Sequence, residues 1–141
     1  MVPQSALFIN HEWCVKIFRH QKVWEIRNKQ CTKRGRVGIA CTAKSSPTGK
    51  ALLLAEVTIA DCIEVARNVQ GFVTAPDIVN NYMFLDRNKP KHQVNSLKEF
   101  PALKEYKKVY AWVLADPQEY TTPKKLAAKR GCVVWVNLGK A

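Results

Sequence analysis

Three charged residues, Lys22, Glu25 and Arg27, lie in the stretch HQKVWEIR at residues 20 to 27, where they alternate with Val, Trp and Ile. The guanidinium of an arginine presents a planar set of donors that suits a phosphate or the edge of a base, whereas a lysine supplies a mobile positive charge. A glutamate between them can orient the arginine or accept hydrogen bonds from an amine or a sugar hydroxyl. The residue types and their spacing therefore indicate a site for a phosphate-bearing or nucleotide-like ligand.

Two neighbouring elements must position these charges. The segment VWEIRN at residues 23–28 is typical of a strand, in which alternate side chains share a face, so Glu25 and Arg27 are expected on one face and Trp24 on the other. Asn10 is expected to cap a helix running through HEWCVKIFRH. Lys22 follows that helix at its junction with the strand, from where its long side chain can reach the same face.

Other residues are candidates for the same site. An aromatic ring beside the charges would let a base stack, and Trp24 and Tyr110 are the candidates for that role. His92, in KPKHQV, is interpreted either as a residue that faces the site from a loop or as a surface histidine. The alternative to a functional reading of Glu25 and Arg27 is an ion pair that holds two strands in register.

The charge of the chain favours an anionic partner. Lys and Arg number 23 against 11 Asp and Glu, which gives a formal net charge of +12. Nucleic acid is favoured over a membrane, because the basic residues are spread along the chain and do not form a basic amphipathic helix. Nucleic acid, either RNA or DNA, is therefore the expected ligand class. The expected contact surface consists of Lys33, Arg34, Arg36, Lys44, Lys124, Lys125 and Arg130.

Several classes of protein are disfavoured by the sequence. No stretch approaches the roughly 20 apolar residues of a membrane span, and the first residues lack the pattern of a secretory signal. The five cysteines form no CxxC pair, which predicts neither a disulfide framework nor a zinc site. The sequence thus predicts a cytoplasmic protein without a metal or another cofactor.

The order of apolar runs predicts an α+β fold, in which about six strands form a small mixed barrel with flanking helices. One domain covering residues 1–141 is expected, since 47% of the residues are hydrophobic. Residues 63–85 are expected to be helical in part, residues 86–95 to form a loop, and residues 116–131 to form a polar connector. The predicted strands are SALFI (5–9), VWEIRN (23–28), RVGIACTA (36–43), LLLAEVTIADC (52–62), VYAWVLA (109–115) and CVVWVNL (132–138).

The ordered set of motifs resembles the activating signal cointegrator homology (ASCH) family. It comprises K-x-x-E-x-R at residues 22–27, RGRV at 34–37, ALLLAEVTIADC at 51–62, YAWVL at 110–114 with Asp116 and Pro117, and GCVVWVN at 131–137. The resemblance extends from about Leu7 to Leu138 and implies a barrel similar to the RNA-binding PUA domain, with a cleft between barrel and helix. The family signature has a glycine two residues before its lysine, where this chain has His20.

The resemblance leaves three functions open. The first is a module that binds RNA or a nucleotide without breaking a bond. The second is a hydrolase, either a ribonuclease or an amidohydrolase acting on acylated cytidine. The third is a protein-interaction domain connected with transcription, which would have an apolar surface in place of a charged cleft.

In the hydrolase reading, Lys22 and Glu25 would be catalytic. In a ribonuclease, Glu25 or His92 would move the proton. The amidohydrolase subgroup uses a lysine, a threonine three residues later and a distant glutamate, but the threonine position is Glu25 here. The distant glutamate would be Glu56 or Glu64.

Overall fold

A single mixed sheet and two helices make up the described part of the chain. The computed structural model describes residues 3–69, 72–74, 88–94, 107–126 and 134–138. The helices are α1 (His11–Phe18) and α2 (Lys89–His92). The strands are β1 (Ser5–Ile9), β2 (Trp24–Arg27), β3 (Gly35–Cys41), β4 (Leu52–Val69), β5 (Phe72–Thr74), β6 (Lys108–Lys125) and β7 (Trp135–Asn137).

The strand order in the sheet is β2-β6-β4-β3-β1-β7, with β5 paired to β4. The pairing of β1 with β3 is parallel, and the other pairings are antiparallel. A parallel pair needs a crossover connection, and α1 with β2 forms part of it. The parallel register brings Ile9 beside Cys41, so the start of α1 and the loop after β3 lie at the same end of the sheet.

The sheet curls into an incomplete barrel. Strands β2 and β1 are separated by three strands in the sheet order, yet Nη2 of Arg27 on β2 donates to the carbonyl oxygen of Phe8 on β1 at 3.0 Å. Trp112 of β6 likewise stacks on Trp135 of β7, with ring centroids 5.8 Å apart. No backbone pairing among the described residues joins β2 to β1 or β7. We call this side-chain-closed gap, between β2 on one side and β1 with β7 on the other, the seam.

Bulges allow the two longest strands to bend around the barrel. The pairing of β4 with β6 is interrupted by four register shifts, the first between Leu53 and Ala55 and the last between Glu64 and Ala66. A bulge adds one unpaired residue to a strand, which bends the strand and increases its twist. Each 18-residue strand can therefore follow the curvature of the sheet.

Strand β1 is buried on both faces, which explains its uninterrupted apolar sequence. Leu7 and Ile9 belong to the main core, into which α1 inserts Cys14 and Ile17. Ala6 and Phe8 point to the other face. They belong to a second cluster with Ala40, Ala51, Leu53 and Val136.

Strand β4 extends beyond its expected end at residue 62, because it continues along β6 to Val69 and pairs with β5. Most of the predicted strands are confirmed, with β1 and α1 close to their expected bounds, but two expectations are wrong. The expected connector after residue 115 is strand as far as Lys125, since its polar residues pair with the start of β4. The expected loop at 86–95 contains α2. The remainder of residues 63–85, which are expected to be helical in part, lies outside the described residues.

The described cysteines and helices bear on the predictions about disulfides and membrane spans. Cys14, Cys31, Cys41 and Cys62 are free thiols, and Cys132 lies outside the described residues. In the part of the chain that the structure describes, neither helix has the length and apolar character needed to cross a membrane.

Helix α1 ends in a Schellman motif centred on His20. The backbone N–H of His20 donates to the carbonyl oxygen of Ile17 at 3.0 Å, and that of Gln21 donates to Lys16 at 2.8 Å. His20 has a φ of +63°, the left-handed conformation that this motif requires and that favours glycine. His20 adopts this conformation although it carries a Cβ, so the position is strained. The turn then directs the chain into Lys22 and β2.

The first prediction concerns this strained position. His20→Gly is expected to stabilise the protein by about 1 kcal/mol, because glycine lacks the Cβ that disfavours the left-handed region. Thermal or urea unfolding measures the change. His20→Ala keeps the Cβ and is the matched control. An equal gain in stability for both variants would contradict the backbone explanation.

Candidate functional site

Glu25 and Arg27 point into the barrel and hold each other in one geometry. The register of β2 with β6 places Glu25 opposite Trp112 and Arg27 opposite Tyr110, and directly opposed residues share a face of the sheet. Nε and Nη2 of Arg27 each lie 2.9 Å from Oε2 of Glu25. With Nη2 also donating to Phe8, the guanidinium is fixed at the seam. The prediction that Glu25 and Arg27 share a face is confirmed.

Lys22 is buried behind this pair. Its Nζ donates to the carbonyl oxygen of His92 at 2.5 Å and lies 3.7 Å from Oε1 of Glu25. The same ammonium lies 4.8 Å from the centroid of the Trp13 ring. Burial lowers the pKa of Lys22, and the negative charge of Glu25 opposes that shift. These contacts tie α1, β2 and α2 together.

A cleft of about 220 Å³ opens between α1 and the strands β1 and β2. Nη1 of Arg27 has no acceptor among the described residues, and the side chain of Asn10 makes no capping hydrogen bond with α1. The cleft thus offers unused donors beside an aromatic ring. Its lining consists of Phe8, Ile9, Asn10, Trp13, Glu25, Ile26, Arg27 and Thr42.

Comparisons with known proteins relate this chain to others through its fold. No protein-family model and no curated protein matches the sequence. Among solved structures, an ASCH protein from Zymomonas mobilis is 12% identical with a TM-score of 0.57, covering 82% of this chain and 68% of that chain. Two point variants of the Zymomonas mobilis protein are 14% and 13% identical, with TM-scores of 0.68 and 0.66. Those matches cover 96% and 99% of this chain, and 90% and 92% of the variant chains.

This chain has the fold of an ASCH domain. The similarity extends over most of the chain at identities of 12 to 14%, so it concerns the architecture. In this ASCH fold the cleft lies between α1 and the barrel. The roles of individual residues rest on the geometry of this chain.

Four predicted site residues do not line the cleft, namely the buried Lys22 together with Trp24, Tyr110 and His92. Trp24 faces the opposite side of β2 from Glu25, and the ammonium of Lys91 covers its ring at 4.9 Å from the centroid. Tyr110 is half-buried beside Arg27 and packs against the main core. His92 is completely buried, so both of its interpretations, as a loop residue facing the site and as a surface histidine, are wrong.

The reason for the burial of His92 is its place in α2. Its Nδ1 accepts a hydrogen bond from the backbone N–H of Val94 at 2.9 Å, and its carbonyl oxygen accepts from Lys22. His92 therefore anchors a segment that packs beside β2.

The predicted basic residues divide between the two ends of the sheet. Residues 33–36 precede or begin β3, whereas Lys44 follows it. Lys125 pairs with Leu52, which pairs in turn with Cys41 at the end of β3. Lys44, Lys124 and Lys125 are exposed near that second end. Arg130 lies outside the described residues.

The register distinguishes the two candidate distal glutamates. Glu64 pairs with Tyr110, which pairs with Arg27. Glu64 therefore shares a face with Arg27 two strands away, at about 10 Å for strands about 4.8 Å apart. Glu56 is held by Arg36, with Oε2 at 2.7 Å from Nε. Of the two glutamates, Glu64 is therefore the one that is aligned across the sheet with Arg27 of the motif.

Sequence reasoning missed Asn10, Trp13 and Thr42 as cleft residues. They come together because β1 and β3 are parallel, which places the residues after Ile9 beside those after Cys41. Asn10 and Trp13 were recognised only as helix residues. The available signal was their position at the start of a helix between two strands, where ligand clefts of parallel pairs are found.

The second prediction tests the role of Lys22 in folding. Lys22→Met is expected to lower the free energy of unfolding by about 1–3 kcal/mol, because the buried carbonyl of His92 loses its donor. Lys44→Met, at an exposed loop position, is the matched control and should change stability by less than about 0.5 kcal/mol. Chemical unfolding of both variants measures the difference.

The pH dependence gives an independent check. Because the folded pKa of Lys22 lies below its ordinary value of 10.5, the unfolded chain binds more protons between those two pH values. The stability difference between the native protein and Lys22→Met should therefore shift in favour of the native protein as the pH rises towards 10.5. A difference independent of pH would contradict the lowered pKa.

Proposed function

We propose that this ASCH-fold chain binds RNA through the cleft, with Arg27 as the principal ligand-binding residue. The observation that carries the proposal is the fixed guanidinium, since Glu25 and Phe8 orient Arg27 while Nη1 has no acceptor among the described residues. A preorganised arginine loses little freedom when it binds a phosphate or a base edge. Arg27 would bind a phosphate or the edge of a base, and the Trp13 side chain would contact the ring of that base.

The charge and size of the cleft support this ligand class. The net charge of +12 attracts a polyanion to the surface. The cleft volume of about 220 Å³ is below the roughly 300–1,000 Å³ of typical small-molecule pockets. A single base or phosphate of a longer chain suits such a space better than a complete small molecule.

The contacts of Lys22 favour binding over hydrolysis. Its ammonium is occupied by His92, Glu25 and Trp13, and Lys22 does not line the cleft. A catalytic lysine would have to reach the reacting atoms. We therefore rank a ribonuclease or an amidohydrolase on a modified nucleoside below a binding module.

A protein-interaction domain receives less support from the surface. Val23 and Ile63 are the large hydrophobic residues that are exposed within the described ranges. Val23 directly precedes β2, whereas Ile63 lies on β4. A docking surface for another protein usually presents a continuous apolar patch.

The third prediction concerns Arg27. Arg27→Gln is expected to weaken binding of a fluorescently labelled single-stranded RNA by about tenfold, because a charge-assisted hydrogen bond is lost. The log-log salt slope should become less steep by about 0.7 for one lost phosphate contact. Fluorescence anisotropy at two salt concentrations measures both quantities.

Arg19→Gln is the matched control, since Arg19 is exposed at the end of α1 and its replacement removes the same charge. Asn10→Ala is a second cleft variant that removes no helix cap, and it should weaken binding several-fold even if Arg27→Gln is destabilised. A labelled DNA of the same sequence tests the preference for RNA. Equal affinities for Arg27→Gln, Asn10→Ala and Arg19→Gln would contradict the proposal.

The same samples distinguish binding from hydrolysis. After incubation with the native protein, the RNA is expected to run at full length on a denaturing gel. Shortened RNA with the native protein, and intact RNA with Arg27→Gln, would favour the ribonuclease alternative.

A further inference from the structure

A second and larger groove lies on the other side of Arg27 from the cleft. Its volume is about 490 Å³, and it is lined by residues 27–33 together with Trp112, Val134 and Trp135. Arg27 lines both the cleft and this groove. The two spaces therefore meet at the guanidinium that closes the seam.

Two stacked tryptophans form the wall of the groove. The rings of Trp112 and Trp135 have centroids 5.8 Å apart and planes inclined by 12°. Trp112 is buried, and its Nε1 donates to the carbonyl oxygen of Lys29 at 2.9 Å. Trp135 is only partly buried. The inner ring is thus fixed, and the outer ring is available for stacking.

Cations flank this aromatic pair. The guanidinium carbon of Arg27 lies 5.8 Å from the centroid of Trp112, and the ammonium of Lys33 lies 5.1 Å from that of Trp135. Aromatic faces combined with cations that follow the backbone are the usual means of binding single-stranded nucleic acid.

The path continues beyond Lys33 into a third space. This outer cavity of about 480 Å³ is lined by Lys33, Arg34 and Arg36 together with residues 3–5 and Val37. Lys33 lines both the groove and the outer cavity, and the described lining of these two spaces contains no Asp or Glu.

Among the cations that line the outer cavity, Lys33 has the charge that is least neutralised by carboxylates. Arg34 lies 3.7 Å from Asp61 and Arg36 lies 2.7 Å from Glu56, whereas no described carboxylate pairs with Lys33. Its contacts are the Trp135 ring and, at 3.4 Å, the hydroxyl of Ser5. Both are weak enough for a phosphate to replace.

The cleft and the outer cavity lie at opposite ends of β1. Ile9 lines the cleft and Ser5 lines the outer cavity, and four residue steps of a strand span about 13 Å at about 3.3 Å each. Nucleotides whose bases are splayed apart are separated by more than the rise of about 3.4 Å found in a stacked duplex strand. The path is therefore long enough for about two such nucleotides.

We propose that single-stranded RNA of at least two nucleotides lies along the seam, with one base in the cleft and a second base stacked on Trp135. In this arrangement the ammonium of Lys33 leaves the Trp135 ring when a base arrives and pairs with the adjacent phosphate. Arg27 binds the phosphate between the two bases. This inference rests on the proposed function and adds to it the strandedness of the ligand and a subsite at Trp135.

A duplex does not fit this arrangement. Bases in a helix are stacked on both faces, so neither the cleft nor Trp135 could receive one without unpairing. Recognition by stacking is typical of RNA loops and single strands, whose bases can be splayed out.

The experiment compares ligands of different length. Tetrauridylate, uridine monophosphate and a short RNA duplex are titrated against the native protein, Trp135→Ala, Lys33→Ala and the control Lys50→Ala, which changes an exposed loop lysine. Tetrauridylate should bind at least about tenfold more tightly than the mononucleotide and the duplex. Trp135→Ala should weaken tetrauridylate binding by about tenfold, as expected for the loss of one stacked base, and leave mononucleotide binding unchanged.

Lys33→Ala and one further variant, Trp135→Phe, protect the test against a folding defect. Lys33→Ala, at an exposed position, should weaken tetrauridylate binding several-fold and make the salt slope less steep by about 0.7. Trp135→Phe keeps an aromatic face and should retain most of the affinity. Circular dichroism melting of every variant verifies that it is folded.

The outcomes separate this inference from the proposed function. Equal affinity for the mononucleotide and tetrauridylate, with Trp135→Ala and Lys33→Ala both neutral while Arg27→Gln still weakens binding, would overturn the path along the seam alone. Duplex binding as tight as that of tetrauridylate would also overturn it. If Arg27→Gln and Asn10→Ala left every affinity unchanged, the proposed function would be wrong, and the path with it.

Discussion

The contact of Arg27 with Glu25 and Phe8 holds the two sides of the seam together. A sheet of this size can bury its interior only by curling, but the described backbone forms no ladder between its first and last strands. The guanidinium replaces part of that ladder by donating to Phe8, while Glu25 balances its charge within the interior. A buried charge needs such a partner, because desolvation alone would be strongly unfavourable. The gap that this contact bridges is also where the cleft and the groove lie.

The K-x-x-E-x-R motif combines a structural role with the ligand-binding role that we propose for it. Lys22 is occupied by groups on three elements, and two of its partners, Trp13 and Glu25, line the cleft. Arg27 is exposed in part, with 22% of its side chain accessible, and it faces two open spaces. Removing Lys22 would disturb folding, whereas Arg27, Asn10, Lys33 and Trp135 belong to the binding surface that we propose.

Much of the local structure was predictable from the sequence. The apolar run of β1, the helix after Asn10 and the alternation in β2 follow from periodicity. The long strands were less predictable, because the polar residues at 116–125 become strand only by pairing with β4. The intrinsic preference of these polar residues for a non-strand conformation was overridden by pairing with residues far away in the sequence.

The sequence by itself determined which side chains share a face of β2 and that the chain is strongly basic, since both depend on residue identity and on the period of a strand. The tertiary structure alone decided that His92 is buried, that Trp24 lies away from the cleft and that Trp112 stacks on Trp135. Each of these depends on contacts between segments far apart in sequence. The physical reason is the curling of the sheet, which brings β2 against β1 and β7 and places Arg27 between two spaces that no local pattern could reveal.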